Sequence, residues 1–440
     1  MQDRRSPRIG LILSLNSGSS SLKISLYRLS SAQPPVEDHQ LNPVSLIITS
    51  SISSISSTPA FSFSVVDTSL VSSTVRDVNN EPASDVHDHS TAFAHFLNYL
   101  EKETGVDRQR ITQACHRIVH GGDYYKPEIL TEESYHYIER LSDLAPLHNG
   151  TALSVIEACI THLPRANSIA YFDTTFHRAI PAHIASCAID QEVANKKGLK
   201  KYGFHGLSYG YILRAVSRYL EKNPSETNLI VMHLGSGASV CAIQNGQSLD
   251  TSMGLTPVSG LPGATRSGAL DATLIFHYTH RAGRISHDKS LATPVGVTEA
   301  ENILNTKSGW SAMTGTTDFG VVTSQRSTDS KSALAFDLFV DRILDYVGAY
   351  YVKLGARVDA LVFSGGIGEC GAELREAVVE RCACIGFVLD RAKNNSVDGV
   401  EGKVVEIGVK EKGEKRVLVC RTDEQLEMAR QCALNPEFWE

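Results

Sequence analysis

Twice in this chain a strand breaks into a tight turn of small polar residues and resumes as a second strand, once near the start and again past the midpoint. Arg8–Ser14 (RIGLILS) leads into Asn16-Ser17-Gly18-Ser19-Ser20-Ser21 and continues as Leu22–Tyr27; Leu229–His233 leads into Gly235-Ser236-Gly237 and continues as Ala238–Ile243. Apolar runs on both sides of a short Gly/Ser segment predict hairpins. Such tips present backbone N–H groups and hydroxyls, which suit phosphate oxygens, and Lys23 adds a point charge to the first. A serine-rich surface turn explains the first tip equally well on its own. The second tip favours phosphate, because a nucleotide can be gripped from both sides. There is no GxxxxGK[ST] run, so this is not a Walker-type site.

The remaining pattern alternates strands with helices. Helical periodicity covers 90–104, a strand at Ala114–Val119 runs into His120-Gly121-Gly122, and a helix over 151–162, capped by Asn149, precedes a strand Ser168–Phe172 ending at Asp173. In the second half a glycine-rich stretch, Gly254–Gly268, leads to helices over 271–280 and 333–354. A strand Ala360–Phe363 then meets Ser364–Glu369, and a helix follows over 372–383. This order is α/β, and two halves with one internal logic suggest a duplicated unit closing on a cleft. The Ser-rich residues 30–75, with one strand at Ala60–Val66 and mobile connections around it, read as an elaborated edge of the first domain.

The 440 residues allow two large domains. A net charge of 42 − 49 = −7 gives no basic surface for nucleic acid or acidic membrane. Apolar runs are strand-sized, well short of the ~20 residues that span a bilayer, and Met1–Gly10 does not lead into a signal-peptide core. Nine cysteines without CxxC pairs read as reduced thiols in the cytoplasm.

Several side chains stand where chemistry could use them. Arg117, in His116–Gly122, and Arg266, in Gly263–Gly268 on a mobile-looking loop, are guanidinium groups flanked by glycine, suited to bidentate contact with carboxylate or phosphoryl oxygens. Asp173 ends a strand, and His205 lies between glycines; either could be a structural hydrogen-bonder or a group that stabilises charge. In Arg421-Thr422-Asp423-Glu424 a capping box and a carboxylate for Mg²⁺ both fit. Gly366–Gly371 is formally GxGxxG with Asp390 about 20 residues on, a dinucleotide fingerprint. Too little chain follows it to build a Rossmann sheet.

Taken together these residues resemble the acetate kinase family of the acetate and sugar kinase, Hsp70 and actin superfamily. The resemblance rests on LNSGSSSLK (Leu15–Lys23), HRIVHGG (His116–Gly122), LAPLHN (Leu144–Asn149), FDTTFH (Phe172–His177), YGFHG (Tyr202–Gly206), HLGSGAS (His233–Ser239), DTSMGLTP (Asp250–Pro257), TRSG (Thr265–Gly268), FSGGIGE (Phe363–Glu369) and TDE (Thr422–Glu424). It is similar to the fungal, eukaryotic forms, and the Ser-rich stretch is an insertion relative to compact bacterial members.

The resemblance implies two duplicated actin-like (ribonuclease H-like) domains closing on a cleft. Residues 1–175 would form the first, with a C-terminal helix 427–440 packed back on it; residues 176–426 would form the nucleotide-binding, dimerising second. It implies transfer of a phosphoryl group between ATP/ADP and acetate/acetyl phosphate, with Mg²⁺ (Mn²⁺ an admissible substitute), in a cytoplasmic homodimer. Arg117 and Arg266 would bracket the carboxylate and the moving group from opposite walls, His205 would bond an equatorial oxygen, and Asp173 would orient Arg266 or metal-bound water. Asn16 and Glu424 would position the metal. Val119, Leu147, His148, Phe204 and Pro257 would hold acetate. Ser19, Ser21, Lys23, His233, Gly235, Ser236, Gly237, Asp318, Gly366, Ile367 and Gly368 would hold the nucleotide. The chain departs from the family at Ser236 (usually Asn), Tyr209 (usually His), Gly320 (often Arg) and Ala269, which bear on base recognition and the phosphoryl donor. ATP is the expected donor over pyrophosphate. Propionate or butyrate kinase and a non-catalytic actin-like ATP-binding module are the alternatives.

Overall fold

The computed structural model describes residues 10–30, 42–71, 75–141, 146–286, 297–409 and 415–439; the side chains of residues 146–148 lie outside that description. The chain divides into two compact units, one running to Asp173 and resuming at Asp423, the other lying mainly between Thr174 and Thr422.

In the first unit β1 (Leu11–Gly18), β2 (Ser21–Leu29), β3 (Val44–Ser53), β4 (Ala60–Val65), β5 (Val78–Pro82), β6 (Ile111–Ile118), β7 (Glu128–Ile129) and β8 (Asn167–Phe172) make one sheet, in the order β5-β4-β3-β2-β1-β6-β8-β7. The hairpin expected at Asn16–Ser21 is present, with Gly18 opposite Ser21. β1 through β5 form an antiparallel meander, while β6 joins β1 and β8 joins β6 in parallel. Alternation puts Leu11, Leu13, Leu15, Ile24 and Leu26 in one core with Phe93, Phe96 and Leu97 of the helix His89–Tyr99 and Val155 and Cys159 of the helix Pro146–His162. Each such side chain contributes roughly 1.5–3 kcal/mol when fully buried. The C-terminal helix Glu424–Leu434 takes the opposite face, where Gln425 donates to the Ser25 hydroxyl at 2.8 Å.

One segment expected to be a mobile connection is the strand β3. Ile47, Ile48 and Ile52 are fully buried, and Ser50 between the last two is buried as well, its hydroxyl donating to the Ser62 carbonyl at 2.8 Å. Asn149 is not a cap: its helix begins at Pro146, placing Asn149 inside the first turn.

The second unit holds β9 (Leu229–Leu234), β10 (Ala238–Gln244), β11 (Gln247–Thr251), the ribbon β12 (Ile285–Ser286) and β13 (Val297–Thr298), β14 (Ala360–Ser364), β15 (Val404–Glu406) and β16 (Arg416–Cys420). Its main sheet runs β11-β10-β9-β14-β16-β15, with β14 parallel to both β9 and β16 and hairpins on each side. The strand before the GxGxxG run is thus the middle of a mixed sheet, which disposes of the dinucleotide-fold alternative. Helix Ser330–Lys353 repeats Phe336, Phe339, Ile343, Val347 and Tyr350 on one face and packs on β9 and β10. The helix expected over 271–280 is confined to Leu274–Tyr278. Among the described residues no helix is long and apolar enough to cross a membrane.

Candidate active site

In the first unit four of the expected residues meet. Parallel pairing of β6 with β8 sets Arg117 opposite Tyr171, so the guanidinium reaches the end of β8, where Asp173 lies. Asp173 is fully buried. Its carboxylate accepts from Arg117 Nε at 3.2 and 3.3 Å and from the NH2 nitrogen at 2.7 Å. The remaining nitrogen, NH1, donates to Asn16 Oδ1 at 3.1 Å and lies 3.1 Å from Glu424 Oε2. Asn16 Nδ2 in turn donates to Glu424 Oε2 at 2.6 Å. Burial opposes the charge on Arg117, but the Asp173 and Glu424 carboxylates outweigh it and push the guanidinium pKa up, so the group stays protonated. Asp173 was expected to orient Arg266 or metal-bound water; its carboxylate is held by Arg117, the nearest cation on the neighbouring strand.

The amide and carboxylate oxygens of Asn16 and Glu424 are hard donors. That set fits a hydrated divalent cation that keeps several waters or phosphate oxygens. It is too sparse to cage an ion with protein atoms alone: among the described residues no three acidic, His or Cys side chains gather around one point. Asp423 caps the C-terminal helix through Leu426 N at 2.9 Å, freeing Glu424 from that task. The cap reading of the TDE run is thus realised as a simple N-cap at Asp423.

Lys23 is paired across the hairpin from Asn16 and is exposed, Ser19 occupies the turn and Ser21 closes it. His89 steadies the tip through a 2.8 Å bond between Nε2 and the Gly18 carbonyl. Val119 is half-buried beyond β6, and the side chains of Leu147 and His148 lie outside the described residues. The glycine after His120 serves close packing, since a Cβ on Gly121 would lie 2.5 Å from the Phe172 ring. Asn149 clamps the same loop, accepting from His120 N at 3.2 Å and donating to His120 O at 3.0 Å.

In the second unit His205 immediately precedes the helix Gly206–Tyr219 with φ of 60°, a left-handed conformation. Non-glycine residues hold it only where their surroundings enforce it. The enforcement comes partly from His177, missed as a structural residue by sequence reasoning: its Nε2 donates to the Phe204 carbonyl and its Nδ1 accepts from Ser248, both at 2.8 Å. Burial pulls the His177 pKa down to about 4. The ring of His205 lies against that of His233, centroids 4.3 Å apart. Phe204 and Pro257 are buried.

The loop bearing Arg266 is tied down, contrary to the mobile reading. Gly263 N bonds Arg266 O at 3.0 Å, Ala264 N bonds Ser236 O at 2.8 Å, and Ser267 and Ser308 add backbone bonds to Leu304 and Thr265. Arg266 itself donates to Pro257 O at 3.3 Å and rests on the Gly235–Gly237 turn, where a Cβ on Gly237 would lie 2.8 Å from a guanidinium nitrogen. The two glycine-flanked motifs, distant in sequence, thus form one surface. Ser236 is exposed on it. Gly365 adopts φ of +75°, and a Cβ there would meet the Leu234 carbonyl at 2.6 Å, while Gly366 has open space around it. Ile367 and Gly368 lie in the short helix Gly365–Cys370 that starts there, and Glu369 holds its first turn by accepting from Gly365 N at 3.0 Å and Thr422 N at 3.2 Å. Burial raises the Glu369 pKa against those two N–H donors. Asp318 caps the helix Phe319–Gln325 through Gly320 N at 2.8 Å.

The matched sequence profile is described as the Acetokinase family and covers residues 11–430. A probable acetate kinase of Emericella nidulans is 44% identical over 427 residues, covering 96% of this chain and 97% of that protein. Among solved structures, a propionate kinase from Francisella tularensis superposes with a TM-score of 0.79 at 30% identity, covering 96% of this chain and 99% of its own. An acetate kinase from Porphyromonas gingivalis gives 0.75 at 30%, covering 96% and 98%. The chain belongs to the acetokinase family.

Proposed function

We propose that the protein is an acetate kinase, transferring a phosphoryl group reversibly between ATP and acetate to give ADP and acetyl phosphate. The observation that carries this reading is the cluster of half-buried Asn16, Arg117 and Glu424 with buried Asp173, in which one guanidinium is oriented by a carboxylate along its Nε edge and left with its NH1 edge beside hard oxygen donors.

Phosphoryl transfer spreads negative charge over three equatorial oxygens between two in-line oxygens, so the protein's work is positioning and charge stabilisation. Acetate brings its own nucleophilic oxygen, and no strong base is needed. Arg117, fixed by Asp173, and Arg266, fixed on the Gly235–Gly237 turn, neutralise charge on the transferring group and the acid. His205 supplies a hydrogen bond to an equatorial oxygen. Asn16 and Glu424 would hold Mg²⁺, which when bound would supply charge stabilisation to the phosphoryl group. Val119, Leu147, His148, Phe204 and Pro257 bind acetate, and apolar contacts of that size admit propionate weakly. The Gly235–Gly237 turn and the Gly365–Gly368 segment support a nucleotide on the second unit, with His233, Ser236 and Asp318 in its binding set; Ser19, Ser21 and Lys23 are further donors suited to phosphate oxygens. A cytoplasmic homodimer is part of the same reading and is checked by sedimentation and cell fractionation.

The test is to trap acyl phosphate as a hydroxamate with acetate, propionate and butyrate, using ATP or pyrophosphate, with and without Mg²⁺. Acetate with ATP and Mg²⁺ should give the highest rate. Turnover with pyrophosphate and none with ATP would overturn the donor assignment, and faster turnover of butyrate than acetate the acid assignment.

A further inference from the structure

His205 is connected to a residue that none of the assigned roles uses. The helix Gly206–Tyr219 starts at His205, and one turn on Tyr209 returns under it, its N–H bonded to the His205 carbonyl at 3.0 Å. The Tyr209 hydroxyl lies 2.5 Å from Ser239 Oγ, and Ser239 Oγ lies 2.8 Å from His205 Nδ1. Tyr209 and Ser239 are both fully buried. The phenol ring cannot swing away, because Phe176 stacks on it with centroids 6.1 Å apart and His177 meets it edge-on at 5.6 Å. Ser239 is equally fixed, pointing from β10 at the position paired with His233 on β9.

The direction of this chain follows from the chemistry of its members. A hydroxyl has one proton to donate. A phenol is the stronger donor and the poorer acceptor of the two hydroxyls, because its oxygen lone pairs are delocalised into the ring. At the Tyr209–Ser239 contact, where the geometry admits either donor, the phenol is the favoured one, which leaves the serine proton for His205 Nδ1. An imidazole that accepts at Nδ1 carries its proton on Nε2. The opposite tautomer would aim a bare Nε2 lone pair outward, which repels a phosphoryl oxygen instead of binding it.

We propose that Tyr209, acting through Ser239, is a positioning residue that holds neutral His205 in the Nε2–H tautomer, so that it donates to the transferring phosphoryl group without carrying a full charge beside the His233 ring. The proposal rests on the reading that His205 serves that group. It also gives a role to one of this chain's departures from its family, a tyrosine where the resemblance leads one to expect histidine.

Two measurements on the full-length enzyme decide it. Long-range ¹H–¹⁵N correlation of imidazole-labelled protein, with His205 assigned through His205→Asn, should show the Nε2–H pattern in the wild type and mixed tautomers in Tyr209→Phe and Ser239→Ala. In steady-state kinetics Ser239→Ala should lower kcat by up to about a hundredfold, the scale of losing one transition-state donor. Tyr209→Phe should lower it about tenfold, the scale of one hydrogen bond, with KM for acetate and ATP within about twofold in both. Tyr209→His, which restores an N–H donor, should recover most of the loss. An Nδ1–H pattern in the wild type overturns the proposal, and so does wild-type kcat in Tyr209→Phe. If Tyr209→Phe fails to fold, the wild-type tautomer and Tyr209→His decide. A wild type that keeps Nε2–H but forms no acetyl phosphate overturns the kinase reading while supporting the tautomer assignment.

Discussion

Replacing Asp173 by Asn keeps the size and shape of a fully buried side chain and removes its charge. Arg117 now gives Asp173 two nitrogens, Nε and NH2. An amide offers one oxygen and one N–H₂ group, so one guanidinium N–H would face another donor. Breaking a buried ion pair by changing one partner costs about 3–5 kcal/mol. Glu424 remains 3.1 Å from Arg117 and keeps the guanidinium partly compensated, which places the expected loss near the lower end, about 3 kcal/mol. At roughly 2 °C per kcal/mol for a chain larger than a small domain, the apparent Tm should fall by about 6 °C. Turnover should fall further than stability alone explains, because a guanidinium displaced by even ~1 Å costs on the order of a hundredfold in rate. Differential scanning fluorimetry together with hydroxamate-trapped acetyl phosphate formation, at a temperature where the variant is fully folded, separates the two effects. A variant with unchanged Tm and near-normal kcat would show that Asp173 does not hold Arg117 in the working enzyme.

Three further outcomes follow from particular contacts. Burial lowers the pKa of His116 to about 3 and of His177 to about 4 from the ordinary 6.5, so both are neutral when folded and take up protons only on unfolding. The stability they sustain is present above pH 6.5 and drains as pH falls toward those values, at up to ~1.4 kcal/mol per pH unit each; urea midpoints from pH 7 to 5 should drop accordingly, and a flat profile would contradict their burial. Gly365→Ala forces a Cβ against the Leu234 carbonyl at positive φ and should cost about 1–3 kcal/mol, read as a lower urea midpoint with a raised KM for ATP. Ser236→Asn, on an exposed position of the Gly235–Gly237 turn, should lower KM for ATP and ADP by supplying an amide donor; unchanged constants would remove that residue from the nucleotide-binding set.

Much of this molecule is legible without coordinates because its signals are local. Alternation, Gly/Ser turns and strand–turn–helix order depend on neighbours a few residues apart, and they predict both hairpins and the helix Ala372–Cys382. Where local signals were weak the reading slipped: serines concealed β3, whose burial needs a second sheet strand on each side, and Asn149 looked like a cap because a proline three residues earlier opens its helix. The active-site partnerships are of another kind. Asp173 meets Arg117 across 56 residues and Glu424 reaches Asn16 across 408, through the register of parallel strands and the return of the last helix to the first sheet. The sequence alone determined which residue types were available and which elements would carry them. Only the tertiary structure decided that Asp173 serves Arg117, that Arg266 rests on the Gly235–Gly237 turn, and that Ser239 on β10 links Tyr209 to His205, because strand register and helix docking are products of the whole packed core and leave no periodic trace in any short stretch of chain.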